Sequence, residues 1–257
     1  MANLYFVDDV ASDAWRPGAV VSVTGDEARH AVRVSRLRVD EQILIGDGRG
    51  TQAQGIVESV AKDRFSVRLE TVEHTPTPSH RIVLVQALAK GDRDERAVEQ
   101  ATEFGVDTIV PWQAERSVSR WDGAGGADKV AKGVAKWQRI AKEASKQSLR
   151  GRIPVVRAPL PLVDLCTYAR TDGFEVVALH PRGTLTLAEW AGKRTGSGAW
   201  ADETLVVIGP EGGFSDAELV ALEDAGADVL RLGHTVLRTS SAGPAGIAVL
   251  NVALGRW

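Results

Sequence analysis

The sequence predicts an α/β fold in two parts: a small β-rich front module and a larger domain built on a parallel sheet. Three observations carry this. Residues 1–74 hold short apolar-polar runs separated by turn residues. Thr75-Pro76-Thr77-Pro78-Ser79 then interrupts any regular element, which divides the chain into 1–74 and 75–257. Beyond it, nearly continuous apolar runs alternate with helical patterns, the signature of strands covered on both faces.

In the front module, strands are expected at 4–7, 19–23, 42–45, 53–60 and 65–69, with Gly46 to Gly50 as a turn. A short helix is expected at 26–33, where Asp26 can accept backbone N–H bonds at the helix start. A small barrel-like module is the economical arrangement. In the larger domain, the apolar run at 81–88 is followed by a polar helix at 93–104 and a second run at 108–110. Further strands are expected at 175–179, 204–208 and 228–232. A long helix beginning near Asp128 sets Val130, Val134, Trp137, Ala141, Ala144 and Ser148 at three- and four-residue spacing, so one face packs. Its other phase is basic, with Lys129, Lys132, Lys136, Arg139, Lys142 and Lys146 against the single acid Glu143, and Arg150 and Arg152 follow. Segments 123–126 and 191–201 are expected to be connecting loops.

The 257 residues are 44% hydrophobic, enough for one large core or two ordinary ones. The single cysteine, Cys166, excludes an intrachain disulfide and a multi-thiolate metal site, and fits a reducing compartment. The five histidines show no pair at metal-ligand spacing, so no metal is expected. The N-terminus lacks the basic start and apolar stretch of a secretory signal, and no run reaches membrane-spanning length. A cytoplasmic protein is therefore expected. The net charge of -3 gives no global nucleic-acid signature, which leaves the local basic stripe as the relevant signal.

Two segments point to chemistry. Ile208-Gly209-Pro210-Glu211-Gly212-Gly213-Phe214 ends an apolar strand, and Ser215-Asp216-Ala217-Glu218 follows as a capping box, with Phe214 and Leu219 at the staple positions. A strand, a glycine turn and a capped helix suit a ligand at the C-terminal edge of a parallel sheet. No Gly-Lys-Ser/Thr follows and no GxGxxG is present, which weakens ATPase and NAD readings. Glu211 would resist a pyrophosphate and tolerate or attract a cation. The second segment, Leu232 to Pro244, again leads from a strand end into an Ala-rich helix made to be covered closely by the sheet or by a second subunit. In it, Arg238 stands among small hydroxyl residues, suited to hold phosphate or an anionic transition state.

These segments, taken with others, resemble the RsmE-type methyltransferases of the SPOUT class along essentially the whole chain. The markers are His30-x-x-Arg33-Val34-x-Arg36, Asp47-Gly48, Thr102 to Val106, Glu115-Arg116-Ser117, Gln147-Ser148-x-Arg150 with Pro154, His180-Pro181, Ile208 to Gly213 and Leu237-Arg238-Thr239. Two positions depart from the family pattern: Gln100 stands where lysine is frequent, and Ser240-Ser241 replaces a frequent Glu-Thr. The second removes a carboxylate beside the expected active site and speaks against a mechanism that requires it.

The resemblance implies a PUA-like front barrel and a SPOUT domain with a C-terminal trefoil knot, working as a homodimer that methylates N3 of a uridine in bacterial 16S ribosomal RNA, within the small ribosomal subunit. It implies S-adenosylmethionine held by three loops: Leu179, His180 and Pro181; Ile208, Gly209, Pro210, Glu211, Gly212 and Gly213; and Leu232, Gly233, Val236, Leu237, Thr239 and Ala242. A sulfonium cofactor without pyrophosphate needs backbone donors and acceptors and apolar walls, which these loops offer. No residue is an obvious base for the uridine proton; Arg238 is the expected catalytic residue, stabilising developing negative charge. RNA is expected to meet His30, Arg33 and Arg36 in front, and Lys129, Lys132, Lys136, Arg139, Arg150 and Arg152 behind. Two other readings stay open: a SPOUT enzyme acting on another nucleotide, and a catalytically silent RNA-binding assembly factor, which Ser240 would favour.

Overall fold

The computed structural model describes residues 3–8, 10–122 and 125–257. Gly123 and Ala124, half of the connection expected at 123–126, lie outside the described residues. The chain forms two compact units, one of Met1–Thr77 with Glu143–Ile153 and the other of Pro78–Lys142 with Pro154–Trp257. The front unit is thus built from two stretches of chain.

In it, β1 (Leu4–Phe6), β2 (Val20–Thr24), β3 (Gln42–Gly46), β4 (Thr51–Val60) and β5 (Arg64–His74) pair in the order β1-β3-β4-β5-β2. Only β1 with β3 is parallel. Period-two alternation turns Val21 and Val23, Ile43 and Ile45, and Phe65, Val67 and Leu69 into one core. Between β2 and β3, α1 (Gly25–Arg33) covers that core with Ala28 and Ala31. Its start differs from expectation. Asp26 sits within the first turn and pairs with Arg29 instead of capping the helix, because the helix begins one residue earlier, at Gly25.

The second unit alternates strands and helices: β6 (Arg81–Ala87), α2 (Arg93–Glu103), β7 (Thr108–Trp112), α3 (Gly126–Gln147), β8 (Val155–Val156), α4 (Leu162–Ala169), β9 (Phe174–Leu179), α5 (Leu187–Ser197), β10 (Glu203–Ile208), α6 (Asp216–Asp224), β11 (Asp228–Leu230) and α7 (Thr239–Ala253). The last turn of α3 is part of the front unit. The sheet order is β11-β9-β10-β6-β7-β8, and every pair is parallel. The continuous apolar runs are explained by burial on both faces. Ile82, Leu84, Val206 and Ile208 face one core, and Val83, Val85, Leu205 and Val207 the other.

The loop expected at 191–201 is helical as far as Ser197. Gly192 and Gly196 lower its helix propensity, but a capping box between Thr186 and Glu189 starts α5, and Trp190 and Ala191 bury its inner face. The close covering expected for the Ala-rich helix is made by the sheet together with α2 and α5: Gly243, Gly246, Ile247 and Leu250 are the buried side of α7, Asn251 donates to the Phe104 carbonyl at the end of α2, and the Ala253 carbonyl accepts from Thr195 of α5. A Cβ at Gly243 would stand 2.7 Å from Leu84 Cδ1. Gly243→Val is therefore expected to overpack this contact and destabilise the protein by about 1–3 kcal/mol. Urea denaturation checks it, and an unchanged midpoint would mean that α7 has room to shift.

Candidate active site

The site follows from the sheet register. Ile208 of β10 and Leu230 of β11 both pair with Leu179 of β9, so three parallel strands stop at one level and release their loops on the same edge. There the loops surround a cavity of about 530 Å³. The structure brings Leu179, His180 and Pro181 to its wall from β9. From β10 come Ile208 through Gly213, and from the segment entering α7 come Val236, Leu237, Arg238, Thr239 and Ala242. Leu232 and Gly233 line a smaller adjoining cavity of about 70 Å³, which shares Leu179, His180 and Pro181.

The glycine loop is held by side chains from several elements. Trp112 Nε1 donates to the Ile208 carbonyl (2.9 Å) and Thr239 Oγ1 to the Gly209 carbonyl (2.7 Å). Arg116 donates to the Gly212 carbonyl (3.1 Å). A tight turn closes by Gly213 N–H to the Pro210 carbonyl (2.9 Å), with Gly213 at φ 69°, a conformation that favours glycine. Ser215 and Glu218 form the capping box, and Phe214 and Leu219 are both buried beside it. Glu218 also accepts from the Glu115 N–H (2.7 Å), tying the loop after β7 to the start of α6.

Glu211 departs from the sequence reading. Its Oε1 accepts from the Lys90 N–H (3.0 Å) and from Arg93 (2.5 Å), so the charge offered to an incoming cation is already paired. Burial would push this carboxyl up, but the bonds from Arg93 and the backbone outweigh it and hold it below the usual glutamate range. Arg93 lines the cavity too. Sequence reasoning passed over it because it is 118 positions from its partner. His180 is held below its ordinary value by burial and by Arg182 and Arg116, which favours the neutral ring. Its Nδ1 accepts from the Arg182 N–H (3.2 Å), leaving the proton on Nε2.

Arg238 is the N-cap residue of α7, is exposed, and lines the cavity. Its carbonyl accepts from the Ser241 and Ala242 N–H groups, which fixes the backbone from which the guanidinium extends. Ser240, at the position of the frequent glutamate, is half-buried and is not part of the cavity wall.

The expected RNA-facing residues are not equivalent. His30 and Arg33 are exposed at the end of α1, and Arg36 is exposed in the following turn at φ 54°. Lys129, Lys132 and Arg139 are exposed on α3. Lys136, however, pairs with Glu95, an acid that counting along the helix could not reveal. Lys146 pairs with Glu27 (2.6 Å) and Glu143 (3.0 Å). Arg150 is half-buried, and Arg152 donates through Nε (3.1 Å) and NH2 (2.7 Å) to the Thr75 carbonyl, so it braces the front unit. Among the described residues there is no group of three or more His, Cys, Asp or Glu that could hold a metal ion, and no helix long and apolar enough to cross a membrane.

Residues 75–251 match the RNA methyltransferase domain family, and residues 23–70 match the RNA methyltransferase PUA domain. The ribosomal RNA small subunit methyltransferase E of Mycobacterium tuberculosis is 38% identical over 260 aligned residues, spanning 100% of this chain and 94% of that protein. The chain belongs to this family. The Bacillus subtilis member is 31% identical over 223 residues, 86% of this chain and 85% of the relative. A methyltransferase structure from Legionella pneumophila, in complex with its bound cofactor SAM, matches at 28% identity and a TM-score of 0.81 over 98% of each chain. The two units are accordingly a PUA-like front half-barrel and a SPOUT-like RNA methyltransferase domain.

The Glu211 pair has a pH signature. A carboxyl lowered on folding binds fewer protons folded than unfolded, so its contribution is complete above the ordinary glutamate range and fades as pH falls through its lowered value. The parent is expected to be more stable than Glu211→Gln at neutral pH, with the two converging in acid. Urea melts across a pH series measure this, and a difference that persists in acid would mean that charge pairing is not its source.

Proposed function

We propose that this chain transfers the methyl group of S-adenosylmethionine to N3 of a single uridine of bacterial 16S ribosomal RNA, the uridine at position 1498. At the coarser level it is an RsmE-type, SAM-dependent ribosomal RNA methyltransferase. The observation that carries the reading is the cavity at the three strand ends, combined with 38% identity to a small subunit methyltransferase over the whole chain. Leu179, Ile208 and Leu237 give it apolar walls, and the glycine loop lets backbone groups approach a ligand closely.

When bound, the cofactor supplies an electrophilic methyl group. Arg238 stabilises the negative charge that develops on the uracil as its N3 proton leaves, from a position exposed to the nucleotide. Arg33 and Arg36, with His30, hold RNA phosphates on the front unit, and Lys129, Lys132 and Arg139 on α3. The reading includes a cytoplasmic homodimer acting on the small ribosomal subunit, and a trefoil knot formed by the last loop and α7. The outer side of α7 supports the dimer, since Val252 is 64% exposed and Ala245, Ala248 and Val249 lie along the same stripe. Against a catalytically silent RNA-binding role stands the complete set of cofactor-loop residues around the cavity and its smaller neighbour, from which Ser240 is absent.

Arg238→Ala is expected to lower single-turnover methylation of small-subunit particles by about 10² to 10³ while leaving S-adenosylmethionine affinity nearly intact, as for loss of a donor used only in the transition state. Mapping the methylated nucleotide in the parent reaction tests the substrate itself, and a normal rate for the variant would remove the role given to Arg238. On the RNA side, charge reversal of Arg33 with Arg36, or of Lys129 with Lys132, is expected to weaken RNA binding and flatten its salt dependence with cofactor affinity retained. The same reversals at Lys136 and Arg152 are expected to act mainly through stability. A salt slope unchanged in both surface pairs would mark those cations as ordinary solvated surface.

A further inference from the structure

The structure assigns to Gln86, a residue outside the cavity, the positioning of the glycine loop and of the start of α7, an assignment that rests on the cofactor reading above. Gln86 is the one polar side chain within the otherwise apolar run Ile82 to Ala87, and it is fully buried in one of the two central strands of the sheet. It pairs in register with Ile208, the residue before Gly209. Its Nε2 donates to Thr239 Oγ1 (2.9 Å) and to the Ala87 carbonyl (3.2 Å). Thr239 Oγ1 in turn donates to the Gly209 carbonyl (2.7 Å).

This chain has a direction. A hydroxyl has one proton to give, and Thr239 gives it to Gly209, so the partner on its other side must be a donor. The glutamine amide meets that need; a carboxylate or a carbonyl there would compete for the same proton. Holding the donor inward leaves a cost, since Gln86 Oε1 is buried with no hydrogen-bond partner among the described residues. A leucine would fill the same strand position without that cost. An arrangement that gives up stability to keep one donor aimed at Thr239 is the mark of a residue kept for what it orients. Thr239 follows Arg238 directly, so the same bond sets both the carbonyl of the cofactor loop and the backbone that carries the catalytic arginine.

The test uses Gln86→Leu in the full chain, with amide hydrogen exchange, urea denaturation and S-adenosylmethionine titration. The urea midpoint is expected to hold or rise, whereas the Gly213 amide, which closes the turn on the Pro210 carbonyl, exchanges about tenfold faster, the scale of one lost hydrogen bond. Thr239→Val should reproduce the faster exchange and Thr239→Ser should not. Unchanged exchange in Gln86→Leu would overturn the assignment, as would faster exchange spread evenly over the sheet together with a lower midpoint. Cofactor affinity is expected to fall about tenfold in Gln86→Leu, in step with the exchange. Failure of the parent to take up S-adenosylmethionine would overturn the cofactor reading instead, and the exchange comparison would still decide the role of Gln86.

Discussion

Parallel pairing of β9 with both of its neighbours stops Leu179, Ile208 and Leu230 abreast, and everything at the site inherits that level. A parallel sheet leaves the carbonyls at its C-terminal edge without ladder partners once the strands end. Here the carbonyls of Ile208 and Gly209 are taken by Trp112 and Thr239, so the loop is fixed before any ligand arrives. Preorganisation of this kind reduces the ordering that binding would otherwise have to supply.

The glycine loop is braced on its outer side by charge. Glu211 is held by Arg93 and the Lys90 N–H, and the Gly212 carbonyl by Arg116. The connections after β6 and β7 therefore converge on the one after β10. Such a loop keeps its backbone groups displayed in a defined pattern while its own glycines leave space in front of them.

Much of this was legible in the sequence because it depends on local rules. The runs at 81–88 and 204–208 announced strands buried on both faces, and Ser215 with Glu218 announced the helix that anchors the glycine loop. α5 was less legible, since its two glycines spoke for a loop and only the Thr186 and Glu189 box spoke for a helix. Pairings between distant residues were not legible at all. Glu211 reads as a free carboxylate until Arg93 is brought to it by the fold, and Lys136 as a free cation until Glu95 is. Gln86 left a trace, a polar residue inside an apolar run, but its meaning required Thr239, which lies 153 positions away.

The composition of the front unit from Met1–Thr77 and Glu143–Ile153 bears on how the protein is made. In that unit the Gly50 N–H bonds to the Gly151 carbonyl and the Ile153 N–H to the Gly48 carbonyl, so its turn at 46–50 is closed by residues synthesised a hundred positions later. During translation all five strands of the N-terminal sheet have emerged by His74, but the turn at 46–50 stays unclosed until more than half of the chain has been made. Folding therefore cannot proceed as two independent steps in chain order. For the same reason the front unit cannot be exchanged between relatives as one contiguous stretch, because its second segment, Glu143–Ile153, travels with the end of α3.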